Sequence, residues 1–154
     1  MIAECAADLL ARVQTVTALN GRTSLSIGGR SADPGLLKAP LPIAWVVFGG
    51  DQADEAPYGS SSQGGPGMVP AMQTMLSNWR VVVYVPYTDD ADLLTVQYPM
   101  LEAVAAAVKR TVTGTDGGVE APSGHRWRYT GQKAAVLPND RMAYEQHYTL
   151  DMVL

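Results

Sequence analysis

The densest set of residues able to do chemistry is Asp89, Asp90 and Asp92. An oxygen-rich cluster of this kind can hold Mg²⁺ or Ca²⁺. The same three residues stand where an apolar helical periodicity begins, and carboxylates there cap free amides and complement the helix dipole. No further carboxylates at loop spacing complete an EF-hand, so capping is the simpler account. Gly59-Ser60-Ser61-Ser62-Gln63-Gly64 approaches a nucleophile elbow, but no serine in it has glycine two residues away on both sides. His125 and His147 are the only histidines, and neither has a second ligand at metal spacing. Gly64, Gly65 and Gly67 lack the preceding strand and following helix of a phosphate-binding loop. No catalytic set, cofactor site or metal site is expected.

What remains is the chemistry of surfaces. Arg126, Arg128, Lys133 and Arg141 gather four of the eleven positive charges near the C-terminus. A solvated strand face explains them, and electrostatic docking to an acidic neighbour, another subunit included, is the rival reading. Nucleic-acid readout ranks third, because a net charge of -4 argues against a protein that clamps phosphates. The second surface is a loop. Two Gly/Pro-rich stretches, Asn20 to Pro42 and Gly49 to Pro66, interrupt the chain, and compact domains rarely carry such long connections unless they bind something. Asp51, Asp54, Glu55, Tyr58, Gln63 and Met68 are its candidate contact residues. The glycines of the segment from Gly49 to Gly67 lead us to expect mobility in the free subunit and ordering on a partner.

The elements that must position these surfaces follow from periodicity. Ile2, Cys5, Ala6, Leu9, Leu10, Val13 and Val16 recur at helical spacing, so an amphipathic helix is expected over residues 2–19, ended by Gly21. Ile43 to Phe48 reads as a buried strand closed by Gly49-Gly50, and Trp79 to Val85 as the strongest strand, with Pro86 at its end. Met68 to Ser77 fits either a short helix or a strand lead-in. A second helix runs from Leu93 to about Val112 through Val96, Gln97, Met100, Leu101, Val104, Ala107 and Val108, with Gly114 ending it. In the last thirty residues Trp127 and Tyr129 alternate with Arg126 and Arg128, and Tyr144, Tyr148, Leu150 and Met152 face away from Glu145, His147, Thr149 and Asp151. The expectation is one α+β domain over residues 1–154, a mainly antiparallel sheet of about four to five strands with two amphipathic helices on one face and long flexible loops. Leu9, Val13, Val46, Val82, Tyr84, Leu101, Val104 and Leu150 should be buried together.

Composition bounds the setting. Hydrophobic residues make up 47% of 154, enough for a packed core. Cys5 falls on the apolar side of the first helix, as an inert thiol in a reducing compartment would. Glu4, Asp8 and Arg12 break any signal-peptide core, and no run approaches the roughly 20 apolar residues of a membrane span. A cytoplasmic protein is expected.

With its N-terminal helix ending near Leu19, the strand Pro42-Ile43-Ala44-Trp45-Val46, the long Gly-rich loop, Trp79-Arg80-Val81-Val82-Val83-Tyr84-Val85, the helix from Leu93 and the closing strand Tyr144 to Met152, the chain resembles the tail terminator, or tail-completion, proteins of long-tailed bacteriophages. That group includes the lambda minor tail protein U and relatives in Mu-like prophages. The resemblance lies in element order and loop placement across nearly the whole chain. It implies a ring, commonly of six subunits, on the head-proximal end of the tail tube, which stops tube polymerisation and presents the surface that joins tail to head. The implied partners are other copies of the chain, the tail tube protein and neck or head-completion proteins, with phage DNA passing through the lumen unread and no membrane. The implied location is the host cytoplasm during assembly and then the virion. A head-completion or connector protein of the same neck region, or a small hydrolase or ligand-binding α+β domain, are the other classes the sequence leaves open.

Overall fold

A computed structural model of the chain describes residues 2–26, 42–53, 74–86, 91, 93–109, 120–137 and 141–153. Helix α1 spans Ile2–Gln14 and stops earlier than expected. Thr15, Val16 and Thr17 form a β-branched run that loses side-chain freedom in a helix, and the Thr15 hydroxyl donates back to the Arg12 carbonyl at 2.6 Å. A 3₁₀ turn over Thr17–Leu19 follows, and Asn20 at φ 49° and Gly21 at φ 70° then reverse the chain.

Strand β1, Thr23–Ser26, lies inside the first Gly/Pro-rich stretch and corrects its reading as a connection alone. It pairs in parallel with β2, Ile43–Ala53, placing Leu25 beside Val46. β2 does not close at Gly49-Gly50 as expected. It continues through a bulge between Phe48 and Gly50, where φ of 106° at Gly50 excludes most side chains and a Cβ on Gly49 would meet the Asn78 carbonyl oxygen at 3.0 Å. Strand β3, Thr74–Pro86, therefore begins before Trp79, and residues 74–77 take the strand alternative.

Helix α2, Tyr98–Lys109, is preceded by a π-helical turn over Leu93–Gln97. Pro99 has no amide to bond the Thr95 carbonyl, so the regular helix cannot run through this point. The turn moves the apolar stripe. Of the two neighbouring helix positions Val96 and Gln97, both read as part of one amphipathic pattern, the apolar one is exposed and the polar one buried. Strands β4, Arg128–Leu137, and β5, Arg141–Val153, complete a five-stranded mixed sheet of order β1-β2-β3-β5-β4, antiparallel except at β1. The fold is α+β.

Both helices cover one face. Cys5, Leu9 and Val13 from α1 and Leu101, Val104 and Val108 from α2 pack with Val46, Trp79, Val81, Val83, Tyr148 and Leu150. Val82 and Tyr84 are buried but not in that core. Strand alternation sends them to the opposite face, where they join Val47, Ala143, Ile43 and Trp45, with the Trp45 and Tyr84 rings edge to face at 5.8 Å.

Buried polar side chains tie the layers. Arg12, fully buried, donates from Nε to Asp8 Oδ2 at 2.7 Å, from Nη1 to the Val108 carbonyl at 2.8 Å and from Nη2 to the Glu120 carbonyl at 3.1 Å. Gln97 Nε2 donates to the Pro86 carbonyl at 2.7 Å and its Oε1 accepts from Tyr144 at 3.2 Å. Gln146 Nε2 donates to the Leu101 carbonyl at 2.9 Å while its Oε1 accepts from Tyr148 at 2.6 Å. These bonds satisfy the polar ends of Arg12, Gln97 and Gln146 between the layers, whereas Thr23 Oγ1 and Trp45 Nε1 are buried without a partner.

Candidate functional site

The sequence candidates fall at two ends of the sheet. Asp51 is exposed near the top of β2, opposite Ser77 of β3. Arg126 and Arg128 are exposed at the start of β4, at the other edge, and Arg128 Nη2 meets Asp151 Oδ1 at 3.0 Å. Lys133 is exposed farther along β4, in register with Glu145. Arg141 opens β5, between Pro86 and Leu137. Asp54, Glu55, Tyr58, Gln63 and Met68 lie outside the described residues, as do Asp89, Asp90, Asp92 and the serine-rich segment Gly59 to Gly64. The positive residues are thus gathered along β4, while Asp51 stands at the opposite side.

Both edges are open among the described residues. β4 pairs only with β5, and β1 covers β2 only from Ala44 to Val47, leaving Phe48–Ala53 without an outer neighbour. Register connects the edges through one row on the helix-side face. Phe48 lies opposite Trp79, Trp79 opposite Tyr148, and Tyr148 opposite Tyr129. Ring centroids are 4.9 Å apart for Phe48–Trp79 and 5.8 Å for Tyr129–Tyr148. The inner members are buried, and the outer two are 40% and 42% exposed. Sequence reasoning missed both ends of this row, reading Phe48 as part of a buried strand and Tyr129 only as alternating with the neighbouring arginines.

The residues with side chains suited to catalysis are dispersed. His125 is exposed. His147 Nε2 lies 3.5 Å from Glu145 Oε2, outside hydrogen-bond geometry, and Glu145 Oε1 also meets Arg80 Nη1 at 3.3 Å. A recess of about 280 Å³ beside them is lined by Asn78, Arg80, Thr130 and His147. Another of about 440 Å³, between Thr15–Ala18 and the start of α2, has no ionisable side chain in its lining. Cys5 is buried with Sγ 4.0 Å from Met152 Sδ, and burial pushes its thiol pKa up, which suits an inert group. Among the described residues no group of three or more His, Cys, Asp or Glu could hold a metal ion. No described helix is long and apolar enough to cross a membrane.

Neither a protein-family model nor a curated protein matches the chain. Among solved structures it is similar to a chain of the virion of a native gene transfer agent particle, with a TM-score of 0.53 and 13% sequence identity. The likeness is one of fold. It covers 99% of this chain and 97% of that one, so the two share their architecture from end to end.

Proposed function

We propose that this chain is a structural protein of a phage-like particle and acts as a tail terminator, assembling as a ring at the head-proximal end of the tail tube. One observation carries the reading: the end-to-end likeness of fold to a chain of a gene transfer agent virion, without a large insertion on either side. Two sheet edges of different chemistry, open among the described residues, support it, since heterologous contacts close into rings when their rotation permits. In this role the ring stops tube polymerisation and offers the joining surface for neck or head-completion proteins. A net charge of -4 suits a passage through which DNA slides without adhering.

Removal of the gene from a particle-producing strain tests this directly. Electron microscopy should show tails of uncontrolled length or finished tails without heads, reversed by supplying the chain in trans. Normal tails joined to heads in the deletion strain would remove the terminator role, and particles stalled at DNA-filled heads with normal tails would move the chain into the neck.

A further inference from the structure

Strands β1 and β4 stand at the two ends of the sheet, and they run in opposite senses. β1 is parallel to β2, and the three antiparallel steps from β2 through β3 and β5 to β4 reverse the chain sense three times. Copies related by rotation about an axis along the strands therefore bring β4 of one beside β1 of the next in the sense of an antiparallel ladder. We propose that these two edges join the copies, with Leu25 of one seated in a recess between α2 and β4 of its neighbour. The inference rests on the ring reading above and supplies its contact.

A ring closes when rotation carries no shift along its axis, so residues that share a level within one copy face each other between copies. The registers set those levels. Leu25 is level with Gln132 through Val46, Val81 and Gln146, and the same steps bring Ser24 level with Lys133 and Thr23 with Ala134. No proline falls within 23–26 or 131–134, and the extra residue of the β4 bulge, Thr130, lies just beyond, so a four-residue ladder is unobstructed. No like charges oppose one another, since Lys133 meets a serine.

Side-chain placement agrees with the registers. Leu25 points to the helix-side face with Val46, yet it is 55% exposed, an apolar side chain that α1 leaves uncovered. At the level of Gln132 the same face carries a recess of about 290 Å³, lined by Tyr98, Leu101, Ala105, Tyr129 and Gln132. Gln146 at its floor is already bonded at both ends of its amide, to the Leu101 carbonyl, Gln132 and Tyr148, so an entering leucine strands no polar group there. Tyr98 and Tyr129, both half-exposed, would be shielded by it. A four-residue ladder with one leucine falls well short of the roughly 1,200–2,000 Å² of a stable interface, so an isolated pair of copies should dissociate. Closure, which gives every copy the contact twice, supplies the stability.

The test is oxidative cross-linking of the full chain carrying Leu25→Cys and Gln132→Cys, alongside each single variant. Directly opposed residues in an antiparallel pair have Cβ atoms about 5 Å apart, within reach of a disulfide, whereas within one copy the two positions are four strand spacings, roughly 19 Å, apart. The double variant should give a reducible ladder of multimers ending in a closed species, and an equal mixture of the two single variants a dimer and nothing longer. Each single variant alone should match the unaltered chain, whose Cys5 is buried. If native mass shows multimers but the double variant yields no ladder, the ring reading stands and this contact is overturned. Dimers from one single variant as abundant as those from the mixture would show a two-fold contact and also overturn it. A chain that stays monomeric at every concentration, with no ladder, defeats the contact, and the deletion phenotype then judges the ring reading separately. As a second measurement, Leu25→Asp puts a carboxylate where the recess already holds Glu102. It should leave the melting temperature of the subunit unchanged and raise the concentration for half-assembly at least about tenfold. Assembly at the unaltered concentration would place the contact elsewhere.

Discussion

Arg12 Nη1 reaches the carbonyl of Val108 at 2.8 Å, so a cation from the first helix closes the last turn of the second. A positive charge at a helix C-terminus is favourably placed against the helix dipole. Here it also answers a carbonyl that would otherwise be buried without a partner. Its own carboxylate, Asp8, sits one turn earlier on α1 and accepts in addition from Trp127 Nε1 at 2.9 Å. Three segments distant in sequence meet at these two residues.

Replacement of Arg12 by Leu keeps much of the volume but leaves Asp8 without its cation and two carbonyls without donors. A loss of about 3–5 kcal/mol is expected, read as a lower urea midpoint with an unchanged slope. Asp8→Asn should cost less, because the Trp127 and Arg12 donors keep an acceptor.

Val82→Asp places a carboxylate among Val47, Tyr84 and Trp45 on the second face, at a position 2% exposed. Cross-strand, its neighbours are Trp45 and Glu145, and neither stabilises a negative charge. The variant should lose at least about 3 kcal/mol or fail to fold, as measured by thermal unfolding followed by circular dichroism. A fold of unchanged stability would contradict the burial of this face.

Burial pushes the Tyr148 phenol well above its ordinary pKa of 10.0, with the nearby Tyr129 adding to the effect. A group whose folded pKa is raised contributes stability that is fully present below its unfolded pKa and is lost as pH rises towards the folded value. Stability should therefore be flat through neutral pH and fall above pH 10, with one tyrosine ionising only as the protein unfolds in an ultraviolet titration. Tyr148→Phe should flatten that alkaline decline while losing about 1 kcal/mol near neutrality from the bond to Gln146.

His125→Ala combined with His147→Ala should change stability by less than about 1 kcal/mol, because one ring is exposed and the other makes only a half-exposed contact with Glu145. Ring assembly and tail completion should match the unaltered chain. Loss of infectivity from a variant with normal mass and stability would bring back a chemical role for these residues.

Most of the architecture was legible because its elements are periodic. The two helices and the alternation of β5 follow from local spacing alone. Strand β1 was not, for Thr23-Ser24-Leu25-Ser26 has one large apolar residue and is held by parallel pairing to residues 21 positions later in the chain. Nor could the sequence divide Val81 to Val85 between faces, since a run of apolar residues buried on both sides shows no alternation. The edge site was hidden for a related reason. Phe48 and Tyr129 share a level only through the registers of four strands, which no local pattern encodes.

The two longest strands, β3 and β5, lie side by side over thirteen residues each, paired from Thr74 with Val153 to Pro86 with Arg141. Their hydrogen bonds run across the strand direction. A pull along the strands loads this ladder in shear, and many bonds must give way together before the strands slip. A pull across the sheet opens it at an edge and breaks bonds one after another. The molecule is therefore mechanically anisotropic, stiffest along β3 and β5 and weakest where β1 and β4 can be peeled away.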